Sequence, residues 1–394
     1  MSTSHFNKPS ANLTQEGCRF VLQLLLGLLL GIGGLDKASA REQLFQPYKH
    51  GLGELRYIGG LPVVQLEGTP QEIGEQHAAL LAKPAVAVLK YPKKLFVESG
   101  AEKVWPMAVG VSKRLLNQAP QRYRIELAAA TQHADLDGDE VAVANTLLEM
   151  RRLGCSTLIV EPARSQTDGP LLGRNFDFPS LGLLEKFNLV MIVRPEGHHA
   201  FAAVGYPGLI GVLSGMNDAG LALATLDVYE AGNKSPQLEL TGVPLLLVFR
   251  QILEECTTVD EAEALLKRTQ ATTWANLAVC DCERGAVFEI TPTEVARRDA
   301  SGAILPCTNH FREEGLAVNT QCWRYDSLQS AVHGAKLDIE DIHQHLHKAN
   351  QGDLTLQTLI FEPRELVLHL AFGKPPSSAL PLKRLDLGEL LHEK

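Results

Sequence analysis

From Cys155 onward the chain is a succession of short apolar runs, each closed by glycine or proline: STLIVE, PLLGRNFDF, NLVMIVRP, HAFAAVG, GLIGVLSGM and GLALATLDV. Runs of this length and punctuation read as β-strands. The preceding stretch has a different texture. Gly51 to Glu67 is strand-like, and Thr69-Pro70-Gln71-Glu72 then combines an N-cap, a proline at the first helical position and a glutamate at the third. A helix is predicted from there to about Ala82. Further helical segments follow between Ala101 and Ala130 and over Glu140 to Arg152. After the strands come a helix from Val243-Pro244 to Glu255, one capped by Thr258 and Glu261, and three more strands, WANLAVCDC, GAVFEITP and AILPCTN. Helices near Trp323–Val332 and Glu340–Ala349 precede a closing hairpin, LTLQTLIFEP and ELVLHLAFG. Consecutive strands flanked by consecutive helices predict a layered α+β architecture, with sheets covered by helices. No Pro/Ser-rich linker divides the chain.

Composition narrows the function classes. The 394 residues are 45% apolar and 21% charged, with a net charge of −9. That is a globular composition. The basic residues are scattered, without the clustered footprint of a nucleic-acid binder. One long apolar run stands out, Phe20 to Leu35, preceded by Arg19 and followed by Ala38-Ser39-Ala40. A basic flank, a short apolar stretch and an A-x-A site describe a signal peptide, so residues 1–40 are expected to be removed and the mature protein exported, periplasmic or secreted. The alternative is a membrane anchor through residues 20–35. A spanning helix needs about 20 apolar residues, and this run is shorter, with Gln23 and four glycines inside. No stable span is expected after removal.

Cys18 leaves with the leader, and the chain has no C-x-x-C, so neither a zinc nor a thioredoxin-like site is indicated. Cys256, Cys280, Cys282, Cys307 and Cys322 read mainly as buried apolar residues with at most one or two bridges. The acidic stretch Asp135 to Glu140 fails EF-hand spacing and reads as a helix-capping loop. His343, His345 and His347 read as a solvated helix, His198-His199 as a hairpin turn, and Asn217 as a turn former.

The chemistry concentrates at Arg152-Leu153-Gly154-Cys155-Ser156-Thr157. About twenty residues on, Gly173-Arg174-Asn175-Phe176-Asp177-Phe178 follows. Two strands joined by a turn would set Arg174 and Asp177 beside the start of the first strand. Asp177 would hold an amine, and Arg174 would favour a thiolate.

With GTPQEIGEQH, GCST, GRNFDFP, SGMNDAGLALATLD, CTNHF, CWRYDSL and the closing FEP…LAFG in order, the chain resembles the cysteine branch of the N-terminal nucleophile hydrolases. The resemblance runs from near Gly68 almost to the C-terminus. It is nearest the isopenicillin N acyltransferase family and more distant from choloylglycine hydrolase, acid ceramidase and N-acylethanolamine hydrolase. It implies a four-layer αββα fold and a precursor that cuts its own Gly154–Cys155 bond. Residues 41–154 would be a mostly helical α segment and 155–394 a catalytic β segment, the two fragments staying associated as one domain. Cys155 would supply the thiol nucleophile and, once freed, its own α-amine as general base, with an ordinary pKa near 7.7–8.0. The resemblance further implies that Asp177 orients the amine, Arg174 sits beside the thiolate, Asn309 serves the oxyanion and Arg324 supports it. Arg174 departs from the penicillin enzyme, which has glutamine there, and sides with the choloylglycine and ceramidase relatives. Asp227 stands where relatives have Asn, Tyr or Glu near the oxyanion. A carboxylate there must be protonated or point elsewhere. No metal or cofactor is implied.

The leading reading is a self-processing amide hydrolase or acyltransferase that acts on small-molecule N-acyl amides through a Cys155 thioester. The alternatives are a non-catalytic ligand-binding relative of the same fold and a peptidase. A papain-like protease would need a histidine base and the family's own flanking sequence around cysteine, which this chain lacks. Three apolar segments, LGLLEKF, YPGLIGVL and VPLLLVF, are predicted to wall an acyl pocket.

Overall fold

The computed structural model describes residues 44–150 and 154–393. The leader run and Arg152 lie outside them. Two β-sheets carry the molecule. The strands are β1 Tyr48–His50, β2 Gly53–Ile58, β3 Leu61–Gly68, β4 Gly154–Val160, β5 Leu171–Asp177, β6 Leu189–Pro195, β7 Phe201–Gly205, β8 Ser214–Asn217, β9 Ala222–Asp227, β10 Ala275–Cys280, β11 Gly285–Thr291, β12 Glu294–Asp299, β13 Ile304–Cys307, β14 Thr355–Glu362, β15 Val367–Phe372 and β16 Lys383–Asp386. The larger sheet has the order β1-β2-β3-β6-β7-β8-β9-β10-β11-β12, and the smaller β13-β4-β5-β14-β15-β16. Only the β3–β6 pairing is parallel among the described strands.

The helices are α1 Pro70–Leu89, α2 Tyr91–Glu98, α3 Trp105–Leu116, α4 Gln121–His133, α5 Gly138–Asn145, α6 Leu245–Glu255, α7 Val259–Arg268, α8 Trp323–Gln329, α9 Ile339–Lys348 and α10 Leu387–His392. The sheets pack face to face through β4 and β5 against β9 and β10. Helices α1, α6 and α7 cover the larger sheet, and α8 and α9 the smaller. The expected four-layer αββα order is therefore the observed one.

Alternation explains the layers, because successive side chains of a strand point to opposite faces. In β4, Ile159 joins the core between the sheets, while Leu158 and Val160 join a second cluster with Ile342 and Leu346 of α9. Gly173 permits this close approach: a Cβ there would come within 2.7 Å of the Ile342 side chain.

Most predicted elements are present, with informative shifts. The capping box at Thr69 and Glu72 forms in both directions. Helix α1 does not stop near Ala82 but continues through Pro84 to Leu89. An interior proline loses one helical hydrogen bond, but the turn beyond it buries Ala85, Val88 and Leu89, and that packing outweighs the loss. The predicted helix 140–152 is divided into α5 and a 3₁₀ turn at Leu147–Met150. Asp137 caps α5 by accepting from the Asp139 and Glu140 N–H groups. Thr258 accepts from the Glu261 N–H, but the Glu261 carboxylate turns to Thr257 instead of closing the box. Asn217 is a turn residue, binding the Ala219 and Leu221 N–H groups and the Leu253 and Cys256 carbonyls. His347 meets the Ser378 hydroxyl at 3.0 Å. The six described cysteines are free thiols.

Candidate active site

Cys155 is the second residue of β4 and faces Phe176 of β5. In the same register Gly154 faces Asp177 and Thr157 faces Arg174. Neighbouring positions on two paired strands thus bring together the Gly-Cys step and the GRNFDF motif.

Three side chains touch Cys155, all of them buried. Arg174 Nη2 lies 3.4 Å from the Cys155 Sγ. Its Nη1 donates to the Leu213 carbonyl at 2.7 Å and to the Ser214 hydroxyl, and its guanidinium lies over the Phe176 ring. In the uncut chain the Cys155 backbone N–H donates to Asn309 Oδ1 at 2.9 Å. Arg324 Nη1 donates to the Cys155 carbonyl at 2.5 Å, and its Nη2 donates to Asn309 Oδ1 at 2.9 Å. Asn309 Nδ2 donates to the Asp227 backbone carbonyl at 2.7 Å. Asp227 thus meets the group through its main chain, while its side chain is fully buried at the end of β9.

Asp177 Oδ1 accepts from the Thr355 hydroxyl at 2.6 Å, its Oδ2 accepts from Gln351 Nε2 at 2.8 Å, and Arg324 Nη1 lies 3.5 Å from Oδ2. Gln351 and Thr355 escaped the sequence reading. They sit at the foot of β14, more than 170 residues away in sequence, and only the pairing of β5 with β14 brings them near. Ser214 beside Arg174 lay in a recognised motif without an assigned role.

Electrostatics at the thiol are set first by burial. Burial pushes the Cys155 thiol up to about 11, against the pull of Arg174 and, further down, of Arg324 and the Asp177 backbone; the Asp177 charge adds to the rise. Arg174 pulls the thiol toward the thiolate, but desolvation of a buried anion is the larger effect in the uncut chain. Burial also raises the Asp177 carboxyl, opposed by its bonds to Gln351 and Thr355 and by the two arginines.

Beside this group lies an apolar cavity of about 50 Å³. Phe176 and Leu213, two of the residues that touch Arg174, belong to its wall. Leu184, Tyr206, Leu209 and Leu246 come from the three predicted segments. Val88, Tyr91, Pro92, Ala144, Leu147 and Leu148 come from the α segment, which the sequence reading had not assigned to the pocket. Tyr91 turns its hydroxyl away to the Pro179 carbonyl, at 2.5 Å.

Among solved structures the chain is similar to a Caenorhabditis elegans N-acylethanolamine-hydrolyzing acid amidase ortholog, at 15% identity and TM-score 0.43, covering 59% of this chain and 100% of that one. It is also similar to a mutant of the conjugated bile acid hydrolase of Clostridium perfringens, at 13% identity and TM-score 0.41, covering 60% and 93%. The penicillin V acylase of Agrobacterium tumefaciens matches at 12% identity and TM-score 0.41, covering 59% and 86%. An uncharacterized protein of Archaeoglobus fulgidus is 22% identical over 396 residues, a match that takes in 84% of this chain but only 65% of that relative. Residues 164–376, more than half of the chain, match the acyl-coenzyme A:6-aminopenicillanic acid acyl-transferase family. That span begins after Cys155 and contains Arg174, Asp177, Asp227, Asn309 and Arg324. The chain belongs to the acyl-coenzyme A:6-aminopenicillanic acid acyl-transferase family.

Proposed function

We propose that this protein is an exported, self-processing amide hydrolase or acyltransferase that works on small N-acyl amides through a thioester on Cys155. The observation that carries the reading is the contact of Arg174 with both the Cys155 sulfur and the Leu213 carbonyl on the cavity wall. It sets a nucleophile-bearing strand end beside an apolar cavity.

In self-cleavage, the Cys155 sulfur attacks the Gly154 carbonyl carbon, the C–N bond breaks, and the nitrogen takes a proton to become the free α-amine of Cys155. Water then attacks the Gly154 thioester, releasing the Gly154 carboxylate and restoring the thiol. In turnover, the α-amine takes the thiol proton and the sulfur attacks the substrate amide. The amine leaves with that proton, and water or an acceptor amine removes the acyl group. A free α-amine titrates near 7.7–8.0, so no histidine is required. Asn309 Oδ1 already accepts from the Cys155 N–H in the uncut chain, and the Asp177 carboxylate is the group we assign to orient the new amine. The Asn309 amide N–H is the donor for the oxyanion, as in sites where such a donor is worth about 10²–10³ in rate.

The test is a gel and a mass spectrum of the purified protein. Two fragments that depend on Cys155, and a β fragment that gains one acyl mass on exposure to an N-acyl compound, support the reading. Stable two-fragment material that never gains acyl mass and cuts unacylated peptides favours a peptidase. An intact chain that binds N-acyl compounds without turnover favours the ligand-binding relative.

A further inference from the structure

We propose that the tip formed by helices α2 and α3 docks on an anionic lipid bilayer, next to the acyl cavity. Val97, Val104 and Met107 are 49%, 39% and 65% exposed. Single exposed apolar residues are ordinary on a protein surface. Here three of them fall within eleven positions, on two helices and the turn between them. The helices are locked together: Phe96 of α2 packs edge-on against Trp105 of α3 at 5.7 Å, and the Lys93 ammonium lies 5.8 Å over the same Trp105 ring. The tip is thus a preformed apolar surface.

Charge selects the occupant. Between residues 83 and 104 there are five lysines, Lys83, Lys90, Lys93, Lys94 and Lys103, against Glu98 and Glu102, in a chain whose net charge is −9. All five lysines are exposed. A local excess of lysine around exposed apolar residues fits an interfacial helix, in which apolar side chains enter the lipid and ammonium groups meet anionic headgroups. The same helix α2 begins with Tyr91 and Pro92, which wall the cavity. A bilayer held at this tip therefore lies beside the cavity that would take an acyl chain. Docking is independent of the Cys155 chemistry, whereas delivery of an acyl lipid rests on the function proposed above.

The experiment is flotation of the full chain with vesicles of phosphatidylcholine alone and of phosphatidylcholine mixed with phosphatidylglycerol. Docking predicts binding to the mixed vesicles that weakens with salt and is much poorer on phosphatidylcholine. Lys94→Gln with Lys103→Gln removes two surface charges and should weaken it roughly 30-fold. Val97→Asp with Met107→Asp should abolish it, with an unchanged melting temperature and unchanged hydrolysis of a short, water-soluble N-acyl substrate. Cys155→Ala should float like the parent while losing turnover, so retained turnover with retained flotation in that variant would defeat the chemical reading and leave docking intact. Equal binding by parent and tip variants, which would place the contact elsewhere in the chain, overturns docking. So do equal binding to both vesicle types and a parent that proves dimeric where Val97→Asp/Met107→Asp is monomeric with lipid binding unchanged.

Discussion

Gly154 and Asp177 face each other across β4 and β5, so closely that a methyl group on Gly154 would stand 3.1 Å from the Asp177 Cβ and 2.4 Å from the Gln351 Nε2. The demand for glycine here includes one of space. Gly154→Ala must push Gln351 off the Asp177 carboxylate. We expect a loss of roughly 1–3 kcal/mol of stability, as for overpacking elsewhere, and a clear slowing of self-cleavage. Thermal denaturation and the ratio of intact to cut chain on a gel would measure both. Cleavage at the parental rate would mean that the Gln351–Asp177 bond has no part in it.

Cys155→Ala should leave a single uncut chain without amidase activity. Cys155→Ser retains a hydroxyl that can attack the Gly154 carbonyl, so cutting can persist while amidase turnover falls. Asn309→Ala should lower turnover by about 10²–10³ with a smaller change in substrate binding. Single-turnover kinetics would separate the two. An unchanged rate constant moves the oxyanion role away from Asn309.

How legible was this site in the sequence? Short-range features were. Thr69 and Glu72 cap α1 as expected, because both partners lie within one helical turn. Strand periodicity foretold the pairing of β14 with β15. Cys155, Arg174 and Asp177 were foreseen together because one turn connects their strands. Ordered motifs and family resemblance, not periodicity, singled out Asn309 and Arg324. What stayed hidden depends on sheet order. Gln351 and Thr355 reach Asp177 only because β14 pairs with β5. The α-segment share of the cavity follows from how α1, α2 and the Leu147–Met150 turn pack against the later strands. The thiol's upward shift was missed because charge partners can be read from sequence, whereas full burial cannot.

Cys322 should be the most reactive of the described thiols in the uncut chain. It is half-buried, and its thiol lies at about 6. Burial opposes this, but hydrogen bonding from His310, the Tyr325 backbone and Thr308, together with the Arg324 charge, outweighs it. Cys155, at about 11, remains a thiol at neutral pH. Brief alkylation with iodoacetamide, followed by peptide mass spectrometry, should label Cys322 with a midpoint near pH 6 and leave Cys155 unlabelled. Because the folded value lies below the ordinary 9.0, the thiolate stabilises the fold at high pH, and that contribution disappears as pH falls through 6. Preferential labelling of Cys155 in a chain that cannot be cut would contradict this.

His77 should set part of the acid sensitivity. Its Nε2 accepts from the Gly208 N–H at 2.9 Å, which requires the neutral ring. Burial, and then Arg250, lower its pKa from 6.5 to about 4. The unfolded chain therefore takes up a proton at His77 before the folded chain does. The stability tied to the neutral ring is complete above pH 6.5 and is lost as pH falls towards 4, by about 3 kcal/mol at most. Urea titrations between these pH values should show that decline, and His77→Asn should flatten it. A parent and variant with identical pH profiles would assign the acid sensitivity to other groups.

On the function proposed above, the cavity is expected to make the acyl group the substrate's defining feature. Its lining is apolar apart from Tyr91 and Tyr206. The Tyr91 hydroxyl is already bonded to Pro179. Each acyl methylene that leaves water should add about 0.8 kcal/mol, or about fourfold, until the cavity is full. Specificity constants across N-acyl amino acids or N-acyl homoserine lactones should therefore climb with chain length and then drop. Ala144 offers the means to move that maximum. It lies on α5, 2% exposed, within the cavity wall. Ala144→Phe would fill cavity volume and should shift the optimum to shorter acyl groups, while the shortest substrates keep roughly the parental rate. Added bulk in a packed interior costs about 1–3 kcal/mol, so the variant's melting temperature must be measured beside its kinetics. A flat length profile in the parent, or an optimum that Ala144→Phe leaves in place, would show that the acyl chain binds elsewhere.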